Sequence, residues 1–372
     1  MATLLIILLL FYILMLFLLG LMKFKLKQEK CLFVIVLFAA SFCAMFIAPK
    51  TIYDIARHYE TILTIKSSSM DFIDYIFNSF LITDFNYQFT YSFNAMNYII
   101  AKYLPVNTLP FIAFSLCYGV FGYILFDIKK RNDFNNLYVA LSFFLMNCLL
   151  PILYIYSNVR NPIAAAVMAL AVYLKLYKEL KLFNFLLLVT IAVTMHPMVA
   201  VALPFLFLAK FKFDPKGLFL FVPYIVFLPL IMEMFQTSEN LVLRYVGYKY
   251  YSYTVLHEFS QGLFFYVTPL TIVFLVLVLT FIQTTNDKRK EDSFFVNFFQ
   301  WYCMFILANV HTIQFVLRLP WIIGPLAPLI INLLLSVKFK SSNHKFVLNF
   351  FIISMLLIWG ILSLYINYAW LV

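Results

Sequence analysis

Six arginines stand in this chain, and four of them sit where they could do chemistry. Arg57 follows Asp54 by three residues and is itself followed by His58, Tyr59 and Glu60. Arg160 precedes Asn161-Pro162 and a long apolar run, and Arg318 precedes Leu319-Pro320-Trp321. Arg244 stands four residues before Tyr248, in a stretch that also holds Tyr245, Tyr250, Tyr251 and Tyr253. A guanidinium is a rigid fork that grips phosphate through two N–H groups. Each arginine has a plainer use, snorkelling to lipid headgroups or pairing with a nearby acid. For the four together, a shared anionic ligand is the better explanation.

Local sequence strengthens the case at Arg160. Asparagine caps helices well and proline suits the first helical position, so Asn161-Pro162 reads as a helix start. Such a start carries partial positive charge and unpaired N–H groups, which favour an anion. Proton transfer needs a base, and the candidates are Asp54 and His196. Asp54 and Arg57 are also i,i+3 neighbours able to form a simple ion pair. His196, before Pro197, is equally able to cap or pack. Substrate contacts are expected from Arg57, Tyr59, Arg160, Arg244, Tyr248 and Arg318. No H-E-x-x-H, paired-cysteine or D-x-D pattern is present, so neither metal nor cofactor is expected. The glycine-rich loops that cradle nucleotides are absent too.

The elements that must position these residues follow from composition. Hydrophobic residues are 65% of 372 and charged residues 12%, against about 45–50% and about 25% in soluble domains. Lipid must be the solvent. The runs are continuous rather than alternating, which indicates helices rather than a barrel. The predicted fold is an all-α, polytopic bundle of about 12 spans forming one domain over 1–372. The spans are 2–22, 31–48, 107–126, 137–157, 162–177, 182–195, 197–209, 217–232, 263–283, 294–313, 319–337 and 346–366. The first is expected to be retained rather than cleaved.

Most of the 27 basic residues fall in six short connections: 23–30, 129–131, 175–181, 210–216, 288–290 and 338–345. They alternate with less basic ones, which places them inside the cell and both termini outside. The net charge of +11 is therefore read as a topology signal, not as nucleic-acid binding. Two long outer connections remain, 49–106 and 233–262, whose apolar stretches are expected along the interface. A hairpin with His196 at its outer tip keeps this alternation, whereas one long helix kinked at His196-Pro197 inverts every later connection.

The pattern Tyr53-Asp54-x-x-Arg57-His58-Tyr59, the start Ser157-Asn158-Val159-Arg160-Asn161-Pro162-Ile163-Ala164, the His196 turn and Arg318-Leu319-Pro320 together resemble the EpsG-type and Wzy-type bacterial polysaccharide polymerases. The resemblance implies a bundle similar to GT-C-like membrane glycosyltransferases. It implies a metal-independent polymerase of O-antigen or related surface polysaccharide in the inner membrane, working on the periplasmic side. The implied substrate is an oligosaccharide linked by diphosphate to undecaprenol, with membrane lipids and a chain-length regulator protein as further partners. Two other readings stay open: a flippase or transporter of the same lipid-linked oligosaccharide, and a transferase adding one sugar from a polyprenyl phosphate donor.

Overall fold

The computed structural model describes residues 25–47, 54–79, 89–132, 136–213, 221–254, 271–277, 280, 290–309 and 317–335. The expected spans 2–22 and 346–366, and most of 263–283, lie outside these. The described residues are helical, with no strand among them. The chain divides into two compact units, Met1–Ala200 with Trp321–Val372, and Val201–Pro320.

The first unit contains α1 (Leu26–Ala44), α2 (Asp54–Ser67), α3 (Phe72–Asn78), α4 (Tyr91–Tyr103), α5 (Thr108–Asn132), α6 (Asn136–Leu149), α7 (Ile152–Ser157), α8 (Arg160–Tyr177) and α9 (Leu182–Met195). Its late part adds 3-10 turns at Leu319–Ile322, which begins at the unit boundary, and Gly324–Leu326, then α14 (Ala327–Leu335). The second unit holds α10 (Leu203–Leu208), α11 (Phe221–Gln236), α12 (Leu241–Thr254) and α13 (Lys290–Ala308).

Several expected spans take a different form, for identifiable reasons. The run 137–157 is two helices, α6 and α7, separated at Leu150-Pro151. Proline supplies no N–H, and the residue before it is disfavoured in α geometry. The same rule acts at His196, whose backbone is extended (φ −154°, ψ 115°) before Pro197. The described residues of the connection 49–106 hold three helices, α2, α3 and α4, in keeping with the helical stretches expected there. Among the described residues one helix, α5 at 25 residues, is long and apolar enough to cross a membrane.

α5 is the axis of the first unit, with α1, α8 and α14 against it. Gly122 lets α1 approach: a Cβ there would lie 2.2 Å from a ring carbon of Phe33. On the far side of α1, Val34, Ile35, Phe38 and Phe42 are exposed, as are Leu182, Phe183, Leu186 and Leu187 on α9. Contiguous apolar surface of this kind suits contact with lipid.

Polar contacts mark the two ends of this unit. At one end Lys129 Nζ meets both carboxylate oxygens of Glu29 at 2.7 Å. Asp127 takes Lys178 Nζ at 2.8 Å, Arg131 Nε at 3.1 Å and the Tyr173 hydroxyl. Three basic connections, 23–30, 129–131 and 175–181, therefore meet at one end, as their alternation along the sequence implies. At the other end Tyr156 donates to Ile47 O at 2.7 Å and Asn107 to Met45 O at 3.0 Å.

In the second unit α10 packs on α13 through Phe205 and Tyr302, ring centroids 5.5 Å apart. Asn297 uses both ends of its amide, donating to Ala209 O and accepting from Phe213 N–H. α11 and α12 cross closely at Gly247, where a Cβ would come within 2.5 Å of backbone.

The Glu29–Lys129 pair is nearly solvent-free, with side chains 2% and 10% exposed. Glu29→Ala strips a buried ammonium of that carboxylate and is expected to destabilise the chain by ~3–5 kcal/mol, whereas Glu29→Met with Lys129→Met is expected to be neutral or stabilising. Thermal unfolding of the detergent-purified variants checks both.

Candidate functional site

The end of the first unit away from the basic connections brings several of the candidate residues together. Asp54 opens α2, and its next turn returns two partners to it. Arg57 Nη2 lies 2.5 Å from Oδ1, and His58 Nε2 lies 3.4 Å from Oδ2. The i,i+3 pair expected from spacing is therefore formed, and the i,i+4 imidazole joins it. His58 is fully buried, while Arg57 keeps 40% of its side chain exposed.

Helix α4 brings in the next group. It runs parallel to α2: Phe93 meets His58 near one end, with ring centroids 4.9 Å apart, and Lys102 donates to Ser68 O at the other. The Phe93 ring also lies 5.5 Å from the guanidinium carbon of Arg160. Arg160 is the first residue of α8 and only 5% exposed. The cap is Val159, not Asn161 as expected, and it gives no side-chain hydrogen bond. Asn161 lies inside the first turn, and its buried Oδ1 has no hydrogen-bond partner among the described residues.

His196 reaches the same end by a different route. α8 and α9 pack as an antiparallel pair joined by a short turn. With a rise of about 1.5 Å per residue, the end of α9 falls within about one turn of the start of α8. Ser92 and Thr194 share a hydrogen bond of 2.7 Å, tying α4 to the last turn of α9. His196 itself accepts the Met198 N–H on Nδ1 at 3.3 Å, the capping use foreseen for it.

Electrostatics fix the charge states. Burial pushes the Asp54 carboxyl up, but His58, Arg57 and Arg160 outweigh it and hold it well below the usual carboxylate range. Full burial pushes His58 down; Asp54 opposes this, Arg160 and Arg57 add to it, and the net effect is a fall below the ordinary 6.5. An ionised carboxylate thus faces a neutral imidazole at pH 7. Burial also pushes the Tyr59 phenol up, and its buried hydroxyl has no partner among the described residues.

The remaining candidates belong to the second unit. Asn240 Oδ1 caps α12, accepting from Val242 and Leu243 N–H. Arg244 and Tyr248, one turn apart on that helix, are both exposed. Arg318 is half-buried, immediately before Leu319–Ile322. Among the described residues no group of three or more His, Cys, Asp and Glu is placed to hold a metal ion.

The chain matches the EpsG family over residues 56–371. It belongs to the EpsG family. The match begins within α2 and takes in every candidate residue except Asp54, which lies two positions before it. Searches of curated proteins and of solved structures return no match. Membership in the EpsG family supports a polysaccharide polymerase-like, glycosyltransferase-type role and association with a membrane. Two residues of this cluster were not among the expected site residues, although His58 stands in the pattern that carries the resemblance. His58 was findable from its i,i+4 spacing to Asp54. Phe93 is one of 45 phenylalanines, and nothing local distinguishes it.

The neutral His58 gives the fold a pH dependence. Its folded pKa lies below the unfolded value, so the unfolded chain binds more protons on acidification, and stability falls as pH drops below about 6.5. Asp54 acts in the same direction, its contribution being lost only well into the acid range. The unfolding temperature is expected to drop between pH 7.5 and 5.5, and His58→Gln to flatten that slope.

Proposed function

We propose that this chain is the polymerase of a surface polysaccharide. It transfers a growing glycan from polyprenyl diphosphate to a lipid-linked repeat unit, at the outer face of the inner membrane. The observation that carries the reading is Arg160, buried at the first turn of α8 beside Asp54, Arg57 and His58, at the end opposite the basic connections. Basic connections mark the cytoplasmic side, so that end faces outward. The EpsG match supports the reaction class.

In the reaction, a hydroxyl of the acceptor repeat unit attacks the anomeric carbon of the donor. The bond from that carbon to the diphosphate oxygen breaks, and polyprenyl diphosphate leaves. Arg160 stabilises the charge that collects on the leaving group, and Arg57, half-exposed at the rim, holds the sugar or a phosphate. The hydroxyl proton passes to Asp54 or His196. Asp54 is ionised and able to accept, though its low pKa makes it a weak base. Diphosphate is already a good leaving group, so positioning and charge stabilisation carry most of the work. Tyr59, Arg244, Tyr248 and Arg318 are assigned to binding the lipid-linked glycan.

Arg160→Ala and Arg318→Ala are each expected to abolish polymer while the protein stays in the membrane at normal level. Polysaccharide from the native host, separated on a gel, reads this out. Loss of the ladder with one repeat unit retained is the expected pattern. Loss of every unit points instead to transport of the lipid-linked unit, and a normal ladder in both variants sinks the assignment.

A further inference from the structure

Three consecutive residues near the start of α4 bind in three directions. Ser92 bonds Thr194 on α9 at 2.7 Å. Asn94 donates to the Ser79 hydroxyl, just past α3, at 2.8 Å. Phe93, between them, is fully buried and reaches His58 on α2 and Arg160 on α8. Successive helical side chains point about 100° apart, so the two flanking hydrogen bonds fix the rotation of α4 and hence the direction of the Phe93 ring. That ring is set between the helices that carry the anionic and cationic members of the site.

We infer that Phe93 is a positioning residue, holding the Arg160 guanidinium in the orientation that receives the diphosphate of the lipid-linked substrate. This rests on the reading of Arg160 as a diphosphate contact. Asp54 and Arg160 interact across the site, and a carboxylate draws a guanidinium into bidentate pairing that takes up its N–H donors. An aromatic face attracts the same cation without taking a donor. A ring beside Arg160 therefore steadies it without itself taking a donor. Contact of His58 with the same ring couples the imidazole to this placement, so a shift of Phe93 disturbs both.

The full-length chain in detergent is titrated with geranylgeranyl diphosphate, and the ligand-induced rise in unfolding temperature gives the affinity. Wild type is expected to bind, and Arg160→Ala to lose binding. Phe93→Tyr keeps the ring face and is expected to bind like wild type. Phe93→Leu and Phe93→Met keep apolar bulk without the ring, and are expected to bind about tenfold more weakly. Because the readout is the rise above each variant's own unfolding temperature, loss of packing alone does not mimic the effect. If both aliphatic variants bind like wild type while Arg160→Ala does not, Phe93 has no positioning role and the polymerase reading stands. If Phe93→Tyr is as weak as Phe93→Leu, packing and not the ring face is responsible, and the inference falls. If Arg160→Ala binds like wild type, or wild type fails to bind, the arginine reading fails and takes this one with it.

Discussion

Removing a charge from water is expensive, and a chain with 65% hydrophobic residues has few places to keep one. The first unit meets this constraint by placing its charges at two ends and giving each buried one a partner. At one end the Glu29 carboxylate closes on Lys129, and Asp127 gathers Arg131, Lys178 and Tyr173. At the other, Asp54 is shared by Arg57 and His58 with Arg160 within electrostatic reach. The stretch of α5 between Leu109 and Phe126 is wholly uncharged. The two ends differ in what they hold: the first is rich in lysine and joins helix ends, whereas the second has arginine, imidazole and aromatic groups in contact.

That second end is built from segments far apart in sequence, and simple geometry brings them together. The antiparallel pairing of α8 with α9 returns the chain to the level of Arg160 at His196. The parallel run of α2 and α4 sets Phe93 beside His58, and α3 lies back along α4, with Phe72 against Tyr98. The connection that carries Asp54, Arg57 and His58 is thus a small helical layer whose register is set by hydrogen bonds. A side chain carried there is positioned by the packing of neighbouring helices as well as by its own backbone.

Much of this was legible in the sequence, and the rest was hidden for physical reasons. The bounds of α9, 182–195, followed from its apolar run and from His196-Pro197, where sterics force the break. The Asp54–Arg57 pair followed from i,i+3 spacing. The break at Pro151 was not foreseen, because the apolar run 137–157 continues through it and hydropathy does not register a missing N–H. Asn161 looked like a cap by residue type, yet the helix starts earlier, at Arg160, so the side chain that seemed to serve the backbone is left facing elsewhere. The roles of Phe93 and of α2 to α4 depend on tertiary packing, which neither periodicity nor composition encodes.

The charge balance around Asp54 bears on what kind of chemistry that end can support. Two guanidiniums, Arg57 and Arg160, act on the Asp54 carboxylate, and the buried imidazole adds no charge at neutral pH. One of them, Arg160, stands at a helix start that adds its own partial positive charge. Such positive charge attracts an anion, and the same charge lowers the carboxylate's basicity. The two properties cannot be tuned separately: strengthening the attraction for a diphosphate weakens Asp54 as a proton acceptor. A reaction whose leaving group is already stable tolerates that exchange, because stabilising the departing charge gains more than a stronger base would. A reaction expelling a poor leaving group would not. On this argument the composition of the site favours transfer from an activated, diphosphate-linked donor over hydrolysis or transfer from an ordinary glycoside.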